Sequence, residues 1–329
     1  MQILKVGNMC AKTGEKVSGY VQVKGTDIEL AVTIICGEKE GKTVFISGGV
    51  HNAEYVGIET AIEIANEILP SQLTGNLIIL HLMNRTGFEH RTMSMVYEDG
   101  KNLNREFPGN AQGTTADRIC HTVVTEFQKN ADYYIDLHCG DGYEELTPYV
   151  YCVGVAVPEV VKAAKGMAEV INVPYLVQSP CGSGGSYNYA GSCGIPSILI
   201  ERGCMGRWSK EEVELGKKDV RNVLRYLKVL QGEVSKRTYH PVDVGNVICK
   251  NAEHTGCWYP TKKAGANFRK GEILGYIKDY FGNVLETCTA EMDGILLYQV
   301  ASLCIIKGDS MVAYGENPNH KEGAKGTDG

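Results

Sequence analysis

The sequence predicts an α/β fold: a mixed, largely parallel sheet with helices on both faces, followed by a small all-β domain. Two observations carry this. From Thr43 to Leu230, short apolar runs alternate with stretches of helical periodicity, which is the order of a layered α/β domain. After about Gly232 the helical periodicity stops, and short β-like runs punctuated by glycine take over.

The elements follow in order. Tyr20–Val23 and Ile28–Ile35 read as β segments with Gly25 between them. Thr43–Ser47 within the apolar run Thr43–Val50 is a strand, Glu54–Leu69 carries a helical pattern, and Asn76–Leu82 is a strand. Residues 84–113, rich in Gly and Asn, read as a long loop. A helix is expected over Thr115–Lys129, capped by Thr114 or Thr115, whose hydroxyls can accept from the first free N–H groups. Tyr133–His138, Pro148–Val153 and Ser197–Ile200 are strands; Pro158–Ile171 and Lys210–Leu230 are helices. In the second domain the β-like runs are Gly256–Tyr259, Ile273–Lys278, Val284–Thr287 and Gly294–Tyr298. The expected division is residues 1–235 and 236–315, with 316–329 a disordered Gly/Asn/Lys/Asp-rich tail.

Composition narrows the function. With 329 residues there is room for one large and one small domain. A net charge of −6 and no Lys/Arg cluster argue against nucleic acid or an anionic membrane as partner. No apolar run approaches the ~20 residues of a membrane span, and no leader is recognised, so a cytoplasmic enzyme is expected. The 12 cysteines are scattered singly, without Cys-x-x-Cys, and most are read as buried free thiols. A homo-oligomer is left open.

The chemistry concentrates at strand ends. His51 follows the apolar run of the first central strand, Glu54 opens the next helix, and His138 ends the strand Tyr133–Leu137. Two imidazoles and a carboxylate are the ligand set of a catalytic zinc site that keeps one position open, and open α/β sheets build sites at these carboxyl ends. A His and a Glu three apart also occur by chance, so His51/Glu54 alone is weak; Ser47-Gly48-Gly49 and Asp136-Leu137-His138 strengthen it. Asp136 is either an orienting partner of an imidazole or an ordinary strand-end turn residue. The segment Asp99-Gly100-Lys101-Asn102-Leu103-Asn104-Arg105-Glu106-Phe107-Pro108-Gly109 is either a surface loop or a carboxylate clamp, with the Arg105 fork and the Asn104 amide as donors. Glu201, directly after Ile198–Ile200, is either a salt-bridge partner of Arg202 or a general base.

These four elements, in this order, resemble the succinylglutamate desuccinylase/aspartoacylase family, relatives of the zinc carboxypeptidases. The resemblance runs from about Val6 to Tyr314. It implies a zinc carboxypeptidase-like catalytic domain and a small barrel-like, lipoyl-like C-terminal domain near the active site. It implies one Zn²⁺ held by His51, Glu54 and His138, substrate binding by Asn104 and Arg105, and Glu201 as the water-activating base. An oxyanion-stabilising arginine is expected ahead of the Asn-Arg pair, with Arg91 favoured over Arg85. Asn52 stands where the family usually has Gly. The activity implied is hydrolysis of an N-acylated amino acid or related small amide. A carboxypeptidase acting on small peptides, or a non-catalytic metal-containing binding module, are the alternatives; Glu201 argues against the latter.

Overall fold

The computed structural model describes residues 2–316. A short hairpin, β1 (Ile3–Val6) and β2 (Met9–Lys12), precedes the main sheet. That sheet contains β3 (Lys16–Gln22), β4 (Glu29–Cys36), β5 (Lys39–Gly48), β6 (Thr74–Leu80), β7 (Tyr133–His138), β9 (Tyr149–Val153), β10 (Tyr175–Ser179), β11 (Ser197–Glu201) and β12 (Val242–Asp243). Its order is β12-β10-β9-β11-β7-β5-β6-β4-β3. The centre, β6-β5-β7-β11, is parallel, while β4 and β9 join antiparallel on either side. The central strands are buried on both faces: Val44, Phe45, Ile46, Tyr134 and Ile135 are fully covered. Such strands carry continuous apolar runs because helices cover both sides.

The helices are α1 (Tyr55–Glu67), α2 (Arg85–His90), α3 (Leu103–Glu106), α4 (Thr115–Thr122), α5 (Pro158–Ala168), α6 (Ser186–Ser192) and α7 (Lys210–Tyr226). Helix α1 buries Val56, Ile58, Ala61, Ile64 and Ala65. Thr114 is the cap of α4, and Asp117 Oδ2 accepts from its N–H at 3.0 Å, closing a reciprocal cap. The expected helix over Thr115–Lys129 widens to a π-turn at Val123–Phe127 and ends in a 3₁₀ turn, Gln128–Asn130. The loop expected over residues 84–113 contains two short helices, α2 and α3, each capped by an asparagine, Asn84 and Asn102. Strand β10 and helix α6 went unrecognised in the sequence. Each is short, and the Gly/Ser-rich stretch 180–185 between them masks their periodicity.

Strands β13 (Val247–Asn251), β14 (Gly256–Pro260), β15 (Asn267–Phe268), β16 (Ile273–Lys278), β17 (Val284–Thr289), β18 (Gly294–Val300), β19 (Cys304–Ile305) and β20 (Ser310–Gly315) form two further sheets. Their own core includes Trp258, Phe268, Leu274, Ile277, Leu296 and Tyr314. The two regions interlock. Strand β12 lies beyond residue 235 yet forms an edge of the main sheet, and β8 (Glu144–Leu146) pairs with β18. A shared apolar cluster, Leu146, Tyr149, Val177, Val244, Ile295 and Leu297, seals the junction.

Two expectations need comment. The tail over 316–329, expected to be disordered, lies outside the described residues except for Glu316. The cysteines are free, but most are not buried: Cys10, Cys181, Cys193, Cys249 and Cys304 are exposed, and Cys204 and Cys257 are half-buried. Their scatter along the sequence carries no information on facing, because it follows neither the helix nor the strand period.

Candidate metal centre and active site

Three neighbouring parallel strands deliver the site. In register, Gly48 at the end of β5 lies beside Leu137 on β7, and His138 lies beside Glu201 on β11. Gly49 then turns the chain with φ +68°, a conformation costly for side-chain-bearing residues, so that His51 comes back over the sheet edge. Helix α1 starts against β7: a Cβ on Gly57 would sit 2.5 Å from the Leu137 carbonyl oxygen. That close approach places Glu54, the residue capping α1, against His138.

The Glu54 carboxylate bridges the two imidazoles. Oε1 lies 2.6 Å from His51 Nδ1, and Oε2 lies 2.9 Å from His138 Nδ1. Oε2 also accepts from the Cys139 N–H at 3.1 Å. Both rings therefore turn Nδ1 inward and Nε2 outward. Outside, Asn102 Oδ1 lies 3.1 Å from His51 Nε2, and Asp136 Oδ2 lies 3.3 Å from His138 Nε2. One ligating atom from each of His51, Glu54 and His138 lies within 4.8 Å of the others.

This donor set fits a metal ion. Burial alone would raise the Glu54 carboxyl, but the His138 and His51 imidazoles against it bring it down to about 2. Burial opposes protonation of both rings, yet Glu54 outweighs it at each. His138, with Asp136 behind it, is held well above the usual imidazole range, and His51 is raised. A carboxylate between two imidazoles that hold positive charge is the arrangement in which protons stand in for a cation. Zn²⁺ has bonds of about 2.0–2.2 Å to such ligands, and its histidines characteristically give their other ring nitrogen to an acceptor. Asn102 is that acceptor for His51, and Asp136 Oδ2 faces His138 Nε2 at 3.3 Å as an ion-pair contact. The group His51, Glu54 and His138 can hold a metal ion.

Behind the cradle runs a buried polar chain. Ser47 Oγ donates to Asp136 Oδ1 at 2.7 Å and lies 2.7 Å from the Tyr134 hydroxyl, which lies 2.7 Å from Ser186 Oγ. The Ser186 N–H donates to Asn104 Oδ1 at 2.9 Å. Asn102, whose Oδ1 also accepts from the Asn104 N–H at 2.8 Å, closes the circuit to His51. So the Asn-Arg segment and the metal ligands form one connected body. Asn104 is buried with its oxygen engaged in this chain, while Arg105 is exposed and its Nη1 donates to the Asn104 carbonyl at 2.8 Å.

Glu201 behaves differently from its bland reading. Arg202 turns away to Asp219, donating from Nε at 2.9 Å and Nη2 at 2.6 Å. Glu201 Oε2 is buried with no hydrogen-bond partner among the described residues. Burial, then the charge of Glu54, pushes the Glu201 carboxyl well above the carboxylate range.

Arg91 ends α2 in a left-handed conformation, φ +54°, and lines a shallow cavity of about 410 Å³ with Tyr55, Phe88, Glu89 and Trp208. None of His51, Glu54 and His138 lines this cavity. Arg85 is committed elsewhere: its Nε pairs with Glu89 at 2.8 Å. A larger cavity of about 620 Å³, lined by Lys24, Arg118 and His121 among others, shares no residue with the cradle. The departure at Asn52 has a local reason. Its side chain is buried, and its Oδ1 accepts from Asn84 Nδ2 at 3.0 Å, tying the turn after His51 to the cap of α2.

Residues not singled out in the sequence are Asn102, Asp141 and Glu144. Asp141 N–H donates to Glu144 Oε2 at 3.1 Å, and burial with the charges of Asp141 and Glu54 pushes Glu144 up to about 7. The acidic cluster Asp141-Gly142-Tyr143-Glu144-Glu145, three residues past His138, was the available signal.

An α/β sheet with a His–Glu–His group at the ends of its parallel strands defines a class: proteins with a side-chain cluster that could hold a metal ion. The family is more specific. Residues 40–227 match the succinylglutamate desuccinylase/aspartoacylase catalytic domain, and the chain belongs to that family. It is similar to the N-alpha-acetyl-L-2,4-diaminobutyric acid deacetylase of Halomonas elongata, 24% identical over 298 residues covering 88% of this chain and 86% of that one. Among solved structures it is similar to the product-bound ectoine utilization protein EutE (DoeB) of Ruegeria pomeroyi, with a TM-score of 0.82, 23% identity and coverage of 92% and 95%. It is also similar to a succinylglutamate desuccinylase/aspartoacylase of Rhodobacter sphaeroides, with a TM-score of 0.79, 25% identity and coverage of 92% and 96%. Among the described residues no helix is long and apolar enough to cross a membrane.

Proposed function

We propose that this chain is a zinc-dependent amidohydrolase that removes the acyl group from an N-acylated amino acid or a related small linear amide. The observation that carries this is Glu201: a half-buried carboxylate whose Oε2 is buried without a hydrogen-bond partner among the described residues, in register with His138 on the neighbouring strand. A non-catalytic metal module has no need of it. Its elevated proton affinity suits a group that must take up and return a proton near neutrality.

His51, Glu54 and His138 would hold the zinc, which when bound would supply Lewis-acid polarisation of the amide carbonyl and a lowered water pKa. Glu201 takes the proton of the attacking water as the oxygen adds to the carbonyl carbon. It then delivers that proton to the amide nitrogen, and the C–N bond breaks to give a carboxylate and an amine. Arg91 is assigned to the developing oxyanion because Arg85 is engaged by Glu89. Arg105 pairs with the substrate carboxylate, while Asn104, fixed through its oxygen by Ser186, offers its amide N–H₂. The name of the Halomonas elongata relative, an N-acetyl amino acid deacetylase, supports the substrate class. We further read the main sheet as zinc carboxypeptidase-like and residues 236–315 as a barrel-like, lipoyl-like domain that shapes the pocket mouth, supported by the β8–β18 pairing next to Glu144.

The test is a panel of N-acetyl and N-succinyl amino acids and short peptides, incubated with the zinc-loaded protein and read by release of free amine. Preferential turnover of N-acyl amino acids is expected. Turnover of peptides alone would make it a carboxypeptidase, and no turnover at full zinc occupancy would overturn the reading.

A further inference from the structure

Cys257 on β14 and Cys304 on β19 are cross-strand partners in an antiparallel pair. The ladder fixes which kind of partners. The Trp258 N–H donates to the Leu303 carbonyl at 2.7 Å, and Gly256 is opposite Ile305. Hydrogen-bonded and non-hydrogen-bonded positions alternate along such a ladder, which places Cys257 and Cys304 at a non-hydrogen-bonded position. There the Cα atoms are about 4.5 Å apart and the side chains are at their closest. A disulfide spans Cα separations of roughly 4.4–6.8 Å, so no backbone movement is required. Both side chains point outward. Their neighbours Gly256, Trp258 and Ile305 are buried, whereas Cys257 is half-buried and Cys304 exposed.

We propose that Cys257 and Cys304 form a reversible cross-strand disulfide, made by exchange with a low-molecular-mass disulfide such as oxidised glutathione. The Cys304 thiolate attacks one sulfur of the small disulfide and releases one thiol, leaving a mixed disulfide on Cys304. The Cys257 thiolate then attacks the Cys304 sulfur and releases the second thiol. Two protein thiols become one disulfide, one small disulfide becomes two thiols, and the two protons leave with them. Such exposed, exchangeable disulfides belong to the labile rather than the permanent kind.

The location gives the bond a consequence. It would staple β19 to β14 and close the chain between them, constraining the unfolded state of the β region. The segment just before Cys304 also reaches the catalytic side: the Ala301 N–H donates to the Tyr143 carbonyl at 2.7 Å, and Val300 pairs with Glu144.

The experiment treats the full-length protein with oxidised glutathione, followed by alkylation of remaining thiols and peptide mapping, with and without later reduction. The expected result is a linked peptide containing Cys257 and Cys304, lost on reduction, with a rise of roughly 3–6 °C in the melting temperature of the oxidised form. Cys304→Ser should abolish both the link and the stabilisation, while its reduced melting temperature stays at the wild-type value. A stable glutathione adduct on Cys304 with Cys257 still alkylated, or linkage only between other cysteines such as Cys181 and Cys249, would overturn the assignment. Mapping on the unmodified protein decides the matter even if the variant folds poorly.

Discussion

Replacing Glu201 by Gln separates the catalytic reading of this residue from the structural one. The change is isosteric and removes only the ability to accept a proton. Were Glu201 the partner of Arg202, it would leave a buried guanidinium uncompensated, at a cost of about 3–5 kcal/mol. Arg202, however, is already held by Asp219 at 2.6 Å and 2.9 Å. Glu201 Oε2 has no hydrogen bond to lose, and burial with the charges of Glu54, Glu144 and Asp136, opposed by His138, favours the neutral form of its carboxyl. Gln mimics that neutral form, so the melting temperature of the metal-free variant should match that of the wild type.

Turnover, by contrast, should fall. General acid–base catalysis contributes about 10²–10⁴ in rate, or about 3–5 kcal/mol of barrier. The variant's kcat should fall by that factor while zinc stays near one per chain. Amine release, zinc stoichiometry and thermal unfolding are measured on one preparation. Near-normal kcat refutes the base assignment, and joint loss of zinc and activity makes Glu201 a ligand instead.

Other perturbations probe the surrounding shell. His51→Ala or His138→Ala should remove most bound zinc, and metal analysis showing full occupancy in both would refute the cradle. Asn102→Ala takes away the acceptor behind His51 Nε2 and should weaken zinc affinity 10–100-fold, measured by competition with a chelator. Arg105→Lys keeps the charge but loses the fork, so KM should rise several-fold with kcat nearly kept; an unchanged preference for carboxylated over amidated substrates would contradict this. Glu144, at about 7 when folded against 4.5 normally, binds more protons folded than unfolded; its stabilising contribution is complete below about pH 4.5 and is lost as pH rises to 7. Glu144→Gln should therefore flatten the fall in stability of the metal-free protein between pH 5 and 8, an effect on the order of 2 kcal/mol, and parallel melting curves for the two proteins would exclude it.

Much of the sheet was legible because its strands are buried on both faces. Thr43–Ser47 and Ser197–Ile200 appear as unbroken apolar runs, and the residues that follow them must emerge at the sheet edge. That rule located His51, His138 and Glu201. What it does not convey is the facing of polar residues in loops. Asn102 is one asparagine among several in a loop, and only the fold shows its oxygen against His51 Nε2. The alternative pairing of Glu201 with Arg202 failed for a related reason: adjacent residues on a strand point to opposite faces, and Arg202 found Asp219 on α7.

The polar chain behind the cradle explains why these motifs belong together. Asp136 orients His138, and through Ser47, Tyr134 and Ser186 it is joined to Asn104. Asn102 joins the same segment to His51 from the other side. A shift of the Asn102–Arg105 segment must therefore either break a buried hydrogen bond or move a histidine ring, and leaving such a group unpaired costs about 1–3 kcal/mol. The backbone that carries Arg105, the residue proposed to bind a carboxylate, is thus tied to the His51–Glu54–His138 group by interior bonds. A Ser186→Ala variant removes the Oγ contact with Tyr134 but keeps the Ser186 N–H that donates to Asn104 Oδ1. It should therefore lower zinc affinity through Tyr134, Ser47 and Asp136 while leaving the Arg105-dependent KM near the wild-type value. A raised KM with unchanged zinc affinity would show that the segment, and not the cradle, depends on this hydroxyl.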